Sequence, residues 1–353
     1  MALVTVIIPT YNNAIYLSDA VESILSQTFS DIEIIDVNDG STDDTLDILK
    51  NYEGKIRLIN QENKGVSAAR NIGIDLSQSE FIAFLDADDI SVNNRIEKQV
   101  DYLHKHSDVG FVGSDLFYMD KNKVPITISR MPTTDLSIRW WSLTLIPCYN
   151  ILIRRSVLDN HNIRFPFGMP YAEDYDFLTN LLKYTYSASI QIPLQGYRLQ
   201  GKNETISRDS YSKLSYHSLV SQKAIQNELG KFEVPEDTLM QLSSMMIEGV
   251  RKYSYSNLDR LQPIHLYLDL WEHFSNKYRY NHEINKLKND ILIRSLILGF
   301  FPPIPPRSHK LLFRLLKSNP LVPFQLLLNS FKIIRNFISN KKIEKFNNRM
   351  LEN

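Results

Sequence analysis

The amino-acid sequence predicts an α/β fold, with a mostly parallel sheet flanked by helices and a helical extension at the C-terminal end. Over the first 110 residues, apolar segments of strand length alternate with segments whose apolar residues recur at helical spacing. Such alternation is typical of parallel sheets whose strands are joined by right-handed crossovers. From about residue 209 onward, helical periods predominate.

The predicted strands are short apolar segments, and polar residues follow most of them. They comprise residues 3–8, 32–37, 56–59, 81–85 and 109–112. Helices fill the intervals, with apolar residues every three or four positions, as at Leu17, Val21 and Ile24. Residues 114–205 follow a less regular pattern that prolines interrupt, and we expect them to extend the same domain.

The composition excludes several classes of protein. Lys+Arg and Asp+Glu both number 40, which argues against a general nucleic-acid-binding protein. Cys148 is the only cysteine, so no internal disulfide or cysteine-based zinc cluster can form. The absence of disulfides is typical of proteins in a reducing compartment. The first residues are typical of a strand and not of a signal peptide, and no run of 18 apolar residues predicts a transmembrane helix. We therefore expect a cytoplasmic protein.

Residues 81–89, Phe-Ile-Ala-Phe-Leu-Asp-Ala-Asp-Asp, form the most informative segment. An apolar run of strand length ends there in three carboxylates, Asp86, Asp88 and Asp89. A strand buried on both faces has a continuous apolar sequence, and its C-terminal end opens into the crevice where α/β sheets bind ligands. Two acids separated by one residue can share Mg²⁺ or Mn²⁺, which can in turn hold a diphosphate. The alternative is an Asp-rich turn that caps a helix beginning near residue 92.

Polar residues also follow the first two predicted strands. Pro9, Thr10, Tyr11 and Asn12 come after the first, where the tyrosine ring could stack on a planar base. Asp39 comes after the second and could accept a hydrogen bond from the ring N–H of a pyrimidine. Both segments would also suit simple turns.

Three further segments contain side chains that could take part in binding or catalysis. Arg70 lies near the start of a helix, where it could contact phosphate or pair only with an acid such as Asp86. Glu173 and Asp174 begin another helix, where a carboxylate could take the proton of an attacking hydroxyl or simply cap the helix. A further strand is predicted at residues 190–195, and it is followed by candidate diphosphate contacts, or members of a solvated loop: Arg198, Ser207 and Arg208.

Taken together, these segments resemble the family 2 glycosyltransferases of the GT-A (Rossmann-like) fold. The resemblance covers residues 3–208 and includes Val-Ile-Ile-Pro-Thr-Tyr-Asn (6–12), Asn-Asp-Gly-Ser-Thr-Asp (38–43), Asn-Lys-Gly-Val-Ser-Ala-Ala-Arg-Asn (63–71), Asp-Ala-Asp-Asp (86–89), Glu-Asp (173–174) and Tyr-Arg…Ser (197–207). We therefore expect a GT-A catalytic domain at residues 1–208, a helical extension at 209–300 and a basic amphipathic tail at 301–353.

The resemblance implies inverting, metal-dependent transfer of a sugar from a nucleotide-sugar, most often a UDP-sugar, with Mn²⁺ or Mg²⁺ as cofactor. Asp174 would be the catalytic base, Glu173 would support the base or the acceptor, and Asp88 would bind the metal. The expected nucleotide-sugar-binding residues are Pro9, Thr10, Tyr11, Asn12, Asp39, Arg70, Asp86, Ala87, Arg198 and Ser207.

Two positions depart from the family's pattern. Asn38 stands where an acid is usual, so recognition of uracil would depend on Asp39. Gln200 stands where the family often has a metal-ligating His, and its side-chain carbonyl could take that place. These departures support an alternative function, a non-catalytic scaffold that binds nucleotide-sugars or glycans. A nucleotidyltransferase is a third hypothesis, but it normally has a Gly-rich phosphate loop, which the segment after the first strand is not.

Residues 301–353 contain ten Lys/Arg and two acidic residues, a net charge of +8, on an amphipathic helical pattern. Such helices bind anionic membrane surfaces, so we expect peripheral binding to the inner face of the cell membrane and a saccharide or lipid-linked saccharide acceptor in surface-polysaccharide synthesis (capsule, O-antigen or lipooligosaccharide). Packing on the catalytic domain or within a homo-oligomer is the alternative. Aromatic and apolar residues that could stack on the acceptor, or pack in the core, precede Glu173: Trp140, Trp141, Tyr149, Phe165, Phe167, Met169 and Tyr171.

Overall fold

A computed structural model describes residues 1–199, 210–248 and 261–288. The chain divides into two compact units. Unit 1 comprises Met1–Ile138 together with the chain from Ile146 to the end of the first described range. Unit 2 comprises Arg139–Leu145 and the described residues from 210 onward. Residues 200–209, which include the predicted site residues Gln200 and Ser207, and the predicted tail at 301–353 lie outside the described residues.

The described part of unit 1 is built around one mixed sheet. Its strands are β1 (Val4–Thr10), β2 (Ile32–Asn38), β3 (Arg57–Asn60), β4 (Phe81–Phe84), β5 (Ile90–Ser91), β6 (Val109–Met119), β7 (Pro125–Ser129), β8 (Tyr149–Arg154) and β9 (Tyr186–Arg198). The strand order is β3-β2-β1-β4-β8-β6-β9-β5, with β7 paired to β6. The predicted α/β class is confirmed. Strands β3, β2, β1 and β4 are parallel, as the alternating sequence predicts, whereas β8 inserts antiparallel between β4 and β6.

Helices cover the sheet and continue into unit 2. They are α1 (Leu17–Leu25), α2 (Thr45–Lys50), α3 (Val66–Leu76), α4 (Arg95–Lys105), α5 (Asp135–Trp141), α6 (Arg155–Asn160), α7 (Glu173–Leu181), α8 (Ser210–Leu229), α9 (Glu236–Glu248) and α10 (Leu261–Lys277). Helix α4 begins three residues later than the sequence pattern predicts, after Asn94. None of the helices in the described ranges combines the length and apolar character that a membrane span requires.

Alternate residues of β1 supply two separate hydrophobic cores, because successive side chains of a strand point to opposite faces of the sheet. Val6 and Ile8 pack in one core with Leu17 of α1. Ile7 packs in the other with Ile74 of α3 and Phe177 of α7. Burial on both faces explains why the strand segments read as continuous apolar runs.

Helix α3 lies unusually close to β1. A Cβ atom added to Gly73 would come within 2.4 Å of Cγ2 of Ile7. Glycine therefore permits an approach that a larger residue at this position would prevent. The contact matters for the site because the same helix carries Arg70.

The C-terminal ends of the parallel strands meet at one edge of the sheet. Thr10 pairs with Asn38, while Ile7, three residues earlier in β1, pairs with Phe84 at the end of β4. The polar residues that follow β1, β2 and β4 therefore converge on one edge, where sheets of this class bind ligands.

Unit 2 has a core of its own. Trp140 is buried, and its ring contacts those of Tyr267, Trp271 and Phe274 of α10, with centroids 5.2–5.4 Å apart. Glu228 at the end of α8 accepts hydrogen bonds from Lys277 and Tyr278 and forms an ion pair with Arg139. These contacts tie the short segment Arg139–Leu145 to helices far away in the sequence.

Candidate active site

The three acids after β4 have different environments. Asp86 is 45% exposed in its side chain, and Asp88 is half-buried. Asp89 is buried, and its carboxylate accepts hydrogen bonds from the side-chain amide of Gln195 and the backbone N–H of Arg198. The alternative that this turn caps the following helix is wrong, because Asn94 precedes α4 and no side-chain hydrogen bond caps it. Asp86 and Asp88 are thus the acids of the turn that retain exposed surface.

Arg70 joins the turn that contains Asp86, Asp88 and Asp89, called here the acidic turn, to the start of α7. One terminal nitrogen lies 2.9 Å from Oδ1 of Asp86 and the other lies 3.0 Å from Oε1 of Glu173, which is 103 positions away in the sequence. The guanidinium also lies over the ring of Phe165, 5.0 Å from its centroid. Burial favours a lower pKa of Arg70, but the carboxylates of Asp86, Glu173 and Asp174 outweigh burial and raise the pKa. Arg70 is therefore a permanent cation between two groups of acids.

Asp174 is half-buried beside this cation. Burial and the neighbouring Glu173 raise the pKa of Asp174 to about 7, while Arg70 opposes the shift. A carboxylate with this pKa can accept a proton near neutral pH and release it again, as a general base must. The backbone N–H of Tyr175 donates to Oδ1 and orients the carboxylate.

The backbone immediately before these acids is strained. Ala172 has φ 61° and ψ 22°, in the left-handed region that costs a residue with a Cβ about 1–2 kcal/mol. The carbonyl of Ala172 nonetheless accepts the N–H of Asp176, which starts α7. The sharp turn directs Glu173 and Asp174 into the first turn of the helix, and no sequence motif signals it.

The loop after β1 has buried and exposed members. Pro9 and Thr10 are buried, and the Thr10 hydroxyl donates to Oδ2 of Asp36 at 2.9 Å. Tyr11 is 49% exposed, so its ring remains available for stacking. Asn12 is exposed with φ 47°, and its side-chain carbonyl accepts the N–H of Thr42. Of the four residues predicted here to contact the nucleotide-sugar, Tyr11 and Asn12 have exposed surface.

Asp39 is buried and organises a neighbouring loop. Its carboxylate accepts the backbone N–H groups of Lys64 and Gly65, at 2.9 and 2.8 Å, and the side-chain amide of Gln61. A carboxylate has about four acceptor sites, so these bonds leave capacity for a base N–H. Gly40 has φ 74°, and a Cβ there would lie 2.8 Å from the backbone N of Asn63, so the two loops meet closely.

Asn38 has a structural environment that suits an amide. Its Nδ2 donates to Oδ1 of Asn60, and its Oδ1 accepts the N–H of Ser41. One end of the side chain donates and the other accepts, which a carboxylate could not do. Asn38 is therefore held by a hydrogen bond to the end of β3.

Arg198 and Ala87, both predicted to contact the nucleotide-sugar, are buried. The guanidinium of Arg198 donates to the carbonyls of Asp88 and Lys121 and to the carboxylate of Asp19, and it lies 4.5 Å from the ring centroid of Tyr16. Its side chain has no exposed area, so in this structure Arg198 holds loops together and does not face the crevice.

Several aromatic residues of the predicted acceptor cluster belong to cores. Phe165 stacks on Phe177 with ring centroids 3.9 Å apart, and its backbone N–H and C=O both bond to the side chain of Asn71. Trp140 lies in the core of unit 2. Phe167 is 74% exposed, and the remaining members of the predicted cluster are half-buried: Trp141, Tyr149, Met169 and Tyr171.

The donor set at the acidic turn fits a hard divalent cation. Asp86 and Asp88 are both partly exposed carboxylate residues. Mg²⁺ in proteins is commonly held by one or two carboxylates, with phosphate oxygens and water completing the shell. Within the described ranges no group of three or more His, Cys, Asp or Glu residues could hold a metal by itself. Asp86 and Asp88 would therefore supply only part of the coordination shell of a bound metal.

Comparison with known proteins identifies the class that this fold and site define. The model of glycosyl transferase family 2 matches residues 5–162. An uncharacterized glycosyltransferase of Haemophilus influenzae is 29% identical and covers 82% of this chain and 95% of the relative. A second, from the same organism, is 32% identical and covers 52% of this chain and 73% of the relative.

Solved structures agree on the fold. The crystal structure of S. aureus TarS 1-349 in complex with UDP-GlcNAc has a TM-score of 0.55 and 20% sequence identity, covering 83% of this chain and 86% of that one. The chain belongs to glycosyl transferase family 2. It is a glycosyltransferase with the GT-A fold.

Proposed function

We propose that this chain is an inverting, metal-dependent enzyme that transfers a sugar from a UDP-sugar to a hydroxyl group of a saccharide. The observation that carries the proposal is the double contact of Arg70 with Asp86 and Glu173. It brings the acidic turn, where a diphosphate would bind, next to the carboxylate that would accept the acceptor's proton. A donor and an acceptor could therefore meet at Asp174.

The proposed reaction is a single displacement. The acceptor oxygen attacks the anomeric carbon, and its proton passes to the carboxylate of Asp174. The bond between the anomeric carbon and the β-phosphate oxygen breaks, and its electron pair leaves with UDP. The pKa of Asp174, about 7, favours this transfer near neutral pH. Attack from the face opposite the leaving group inverts the configuration.

The chain's residues would assist in distinct ways. Tyr11 would stack on the base, Asn12 would line the same loop, and Asp39 would accept from the ring N–H while it holds the loop at residues 61–65. Asp86 would contact the ribose or a metal-bound ligand. When bound, a divalent cation on Asp88, with Gln200 as a further candidate ligand, would neutralise charge on the departing diphosphate.

UDP is the proposed nucleotide because the TarS structure was solved with UDP-GlcNAc, and its fold covers most of this chain. Synthesis of bacterial surface polysaccharide is the proposed process, with a saccharide or lipid-linked saccharide as acceptor. We further propose that the catalytic domain comprises residues 1–208, that a helical extension follows at 209–300, and that the basic tail at 301–353 binds the inner face of the membrane.

A panel of UDP-, GDP- and dTDP-sugars tests the proposal. Each is incubated with the protein in Mn²⁺ or in EDTA, and binding is followed by calorimetry and nucleotide release by a coupled assay. We expect metal-dependent binding and slow hydrolysis of a UDP-sugar. If no nucleotide-sugar binds, the enzyme assignment fails. Binding without hydrolysis or transfer to any saccharide acceptor would instead favour the non-catalytic scaffold, which Asn38 and Gln200 suggest.

A further inference from the structure

A network of buried polar side chains lies beneath the acidic turn, and the proposed reaction does not use it. Arg95 on α4 is 0% exposed, Asp89 on the turn is 1% exposed, and Gln195 on β9 is 9% exposed. Charged groups are rarely buried to this degree unless they are hydrogen-bonded. Their partners therefore indicate what the network holds in place.

Gln195 links the two charged groups. Its Oε1 accepts from Arg95 at 2.9 Å, and its Nε2 donates to Oδ2 of Asp89 at 2.9 Å. The remaining nitrogens of Arg95 donate to the side chain of Gln99 and to the carbonyl of Phe84, the last residue of β4. The guanidinium thus contacts both the strand that leads into the acidic turn and the amide that holds the turn.

The hydrogen-bond polarity of this chain of contacts is fixed. A guanidinium can only donate, and both carboxylate oxygens of Asp89 accept hydrogen bonds here, so the amide between the two groups has one satisfactory orientation. On its other side, Asp89 accepts the backbone N–H of Arg198 at 3.0 Å, and the side chain of Arg198 donates to the carbonyl of Asp88 at 2.8 Å. Strand β9 therefore holds the turn at two successive residues.

We propose that Gln195 and Arg95 are positioning residues that fix Asp89, and through it the carboxylates of Asp86 and Asp88, in the geometry that a metal–diphosphate complex requires. This inference rests on the proposed function. Residues that orient metal ligands typically change metal affinity by 10- to 100-fold when they are removed. The predicted readout is thus the metal dependence of nucleotide binding.

The first test compares UDP binding with and without Mn²⁺ by calorimetry. In Gln195→Met, of similar size, we expect the Mn²⁺-dependent gain in UDP affinity to fall 10- to 100-fold, while UDP binding in EDTA stays within twofold. Gln191→Met is the matched control, because Gln191 is exposed on the same strand, and it should behave as the wild-type chain. Circular dichroism confirms that each variant is folded.

A second pair of variants reverses the hydrogen-bond polarity. In Asp89→Asn, the amide N–H group faces either Gln195 or Arg198, and both of these already donate, so two donors oppose each other. The variant should therefore lose as much of the Mn²⁺-dependent gain in UDP affinity as Gln195→Met. The double variant Asp89→Asn with Gln195→Glu restores a matched acceptor for every donor. The new Glu accepts from both Arg95 and the new Asn, and the Asn accepts from the N–H of Arg198. We expect it to recover metal-dependent binding to within about threefold of the wild-type value.

The outcomes separate the inference from the proposed function. Absence of a Mn²⁺ effect in the wild-type chain, or a wild-type effect in Asp88→Asn, overturns the metal site and the inference together. A wild-type Mn²⁺ effect in folded Gln195→Met overturns only the inference. So does a double variant that binds no better than Asp89→Asn, since a network that acts through its polarity must be rescued by the exchange.

Discussion

Asp174 is the residue on which the proposed chemistry depends most directly, and its surroundings set its proton affinity. Burial and Glu173 raise its pKa to about 7, and Arg70 limits the rise. Asp36 reaches a similar pKa by burial alone, although the Thr10 hydroxyl opposes the shift, and Oδ1 of Asp36 has no hydrogen-bond partner in the structure. The raised pKa values of these two carboxyls thus have different predicted consequences, that of Asp174 for turnover and that of Asp36 for stability.

Asp174→Asn should reduce transfer by about 10²- to 10⁴-fold, because the amide cannot accept the acceptor's proton. Donor binding should remain within a few-fold of the wild-type value. In the wild-type enzyme, kcat should rise with pH and level off above about pH 7, as the carboxyl loses its proton. Initial rates across pH 5.5–8.5 and calorimetric donor titration measure both effects. Turnover by the folded Asn variant near the wild-type rate would exclude Asp174 as the base.

Asp36→Asn should stabilise the protein at pH 8. The folded chain holds the Asp36 proton to about pH 7 and an unfolded carboxyl releases it near 3.8, so stability is lost as pH rises between these values. The loss is on the order of 4 kcal/mol, and the neutral amide avoids it while it still accepts from Thr10. Denaturant unfolding at pH 5 and pH 8 tests this, with Asp31→Asn, exposed before the same strand, as control. Equal pH dependence in Asp36→Asn and the wild-type chain would contradict the prediction.

At the level of elements, the crevice depends on how closely helices approach the sheet. Helix α3 carries Arg70, and Gly73 one turn later lets it lie against Ile7 of β1. Helix α7 carries Glu173 and Asp174 and packs through Phe177 in the same core. The two elements therefore share a hydrophobic support, and the 3.0 Å contact of Arg70 with Glu173 depends on it.

Gly73→Ala should destabilise the protein by about 1–3 kcal/mol, because the new methyl group would overlap Ile7. It should also lower kcat by moving Arg70. The same substitution in an Ile7→Ala background should cost less, since the smaller side chain leaves room for the methyl group. Unfolding free energies of the four proteins give the coupling, and strict additivity would show that the close contact is unimportant.

The sequence predicts the elements better than their long-range contacts. Parallel strands β1, β2 and β4 follow from apolar runs, and the polar residues after them follow from where such runs end. The antiparallel insertion of β8 and the contact of Arg70 with Glu173 join residues far apart, and no local pattern encodes them. Arg95 is an intermediate case, because it lies one turn before Gln99 on the buried side of α4, where a polar residue indicates a buried partner.

At the scale of the whole molecule, charge is distributed unevenly. The chain is neutral, yet residues 301–353 have a net charge of +8 and the remainder is correspondingly acidic. A basic amphipathic segment on an otherwise acidic chain would favour one orientation at an anionic surface. The tail lies outside the described residues, so its role is a prediction from sequence.

Neutralising the tail should weaken membrane binding. Lys341→Gln, Lys342→Gln and Lys345→Gln together should reduce binding to anionic vesicles by ~1 kcal/mol per charge at low salt, without changing hydrolysis of a UDP-sugar in solution. Co-sedimentation with phosphatidylglycerol-containing and purely zwitterionic vesicles measures the difference. The matched control replaces three exposed lysines of unit 1, Lys55, Lys105 and Lys183, by Gln. Equal pelleting of the tail variant and the control would remove the membrane role.

The assignment of Arg139–Leu145 to unit 2 has a consequence for how this chain can be recombined with its relatives. The polypeptide crosses from one unit to the other after Ile138, returns at Ile146, and crosses again after Ser207. A chimaera joined at a single point near residue 208 would keep the parent's Trp140 and Arg139 against a foreign α8 and α10. Grafting unit 2 from a relative therefore requires that these seven residues be transferred with the helices they contact.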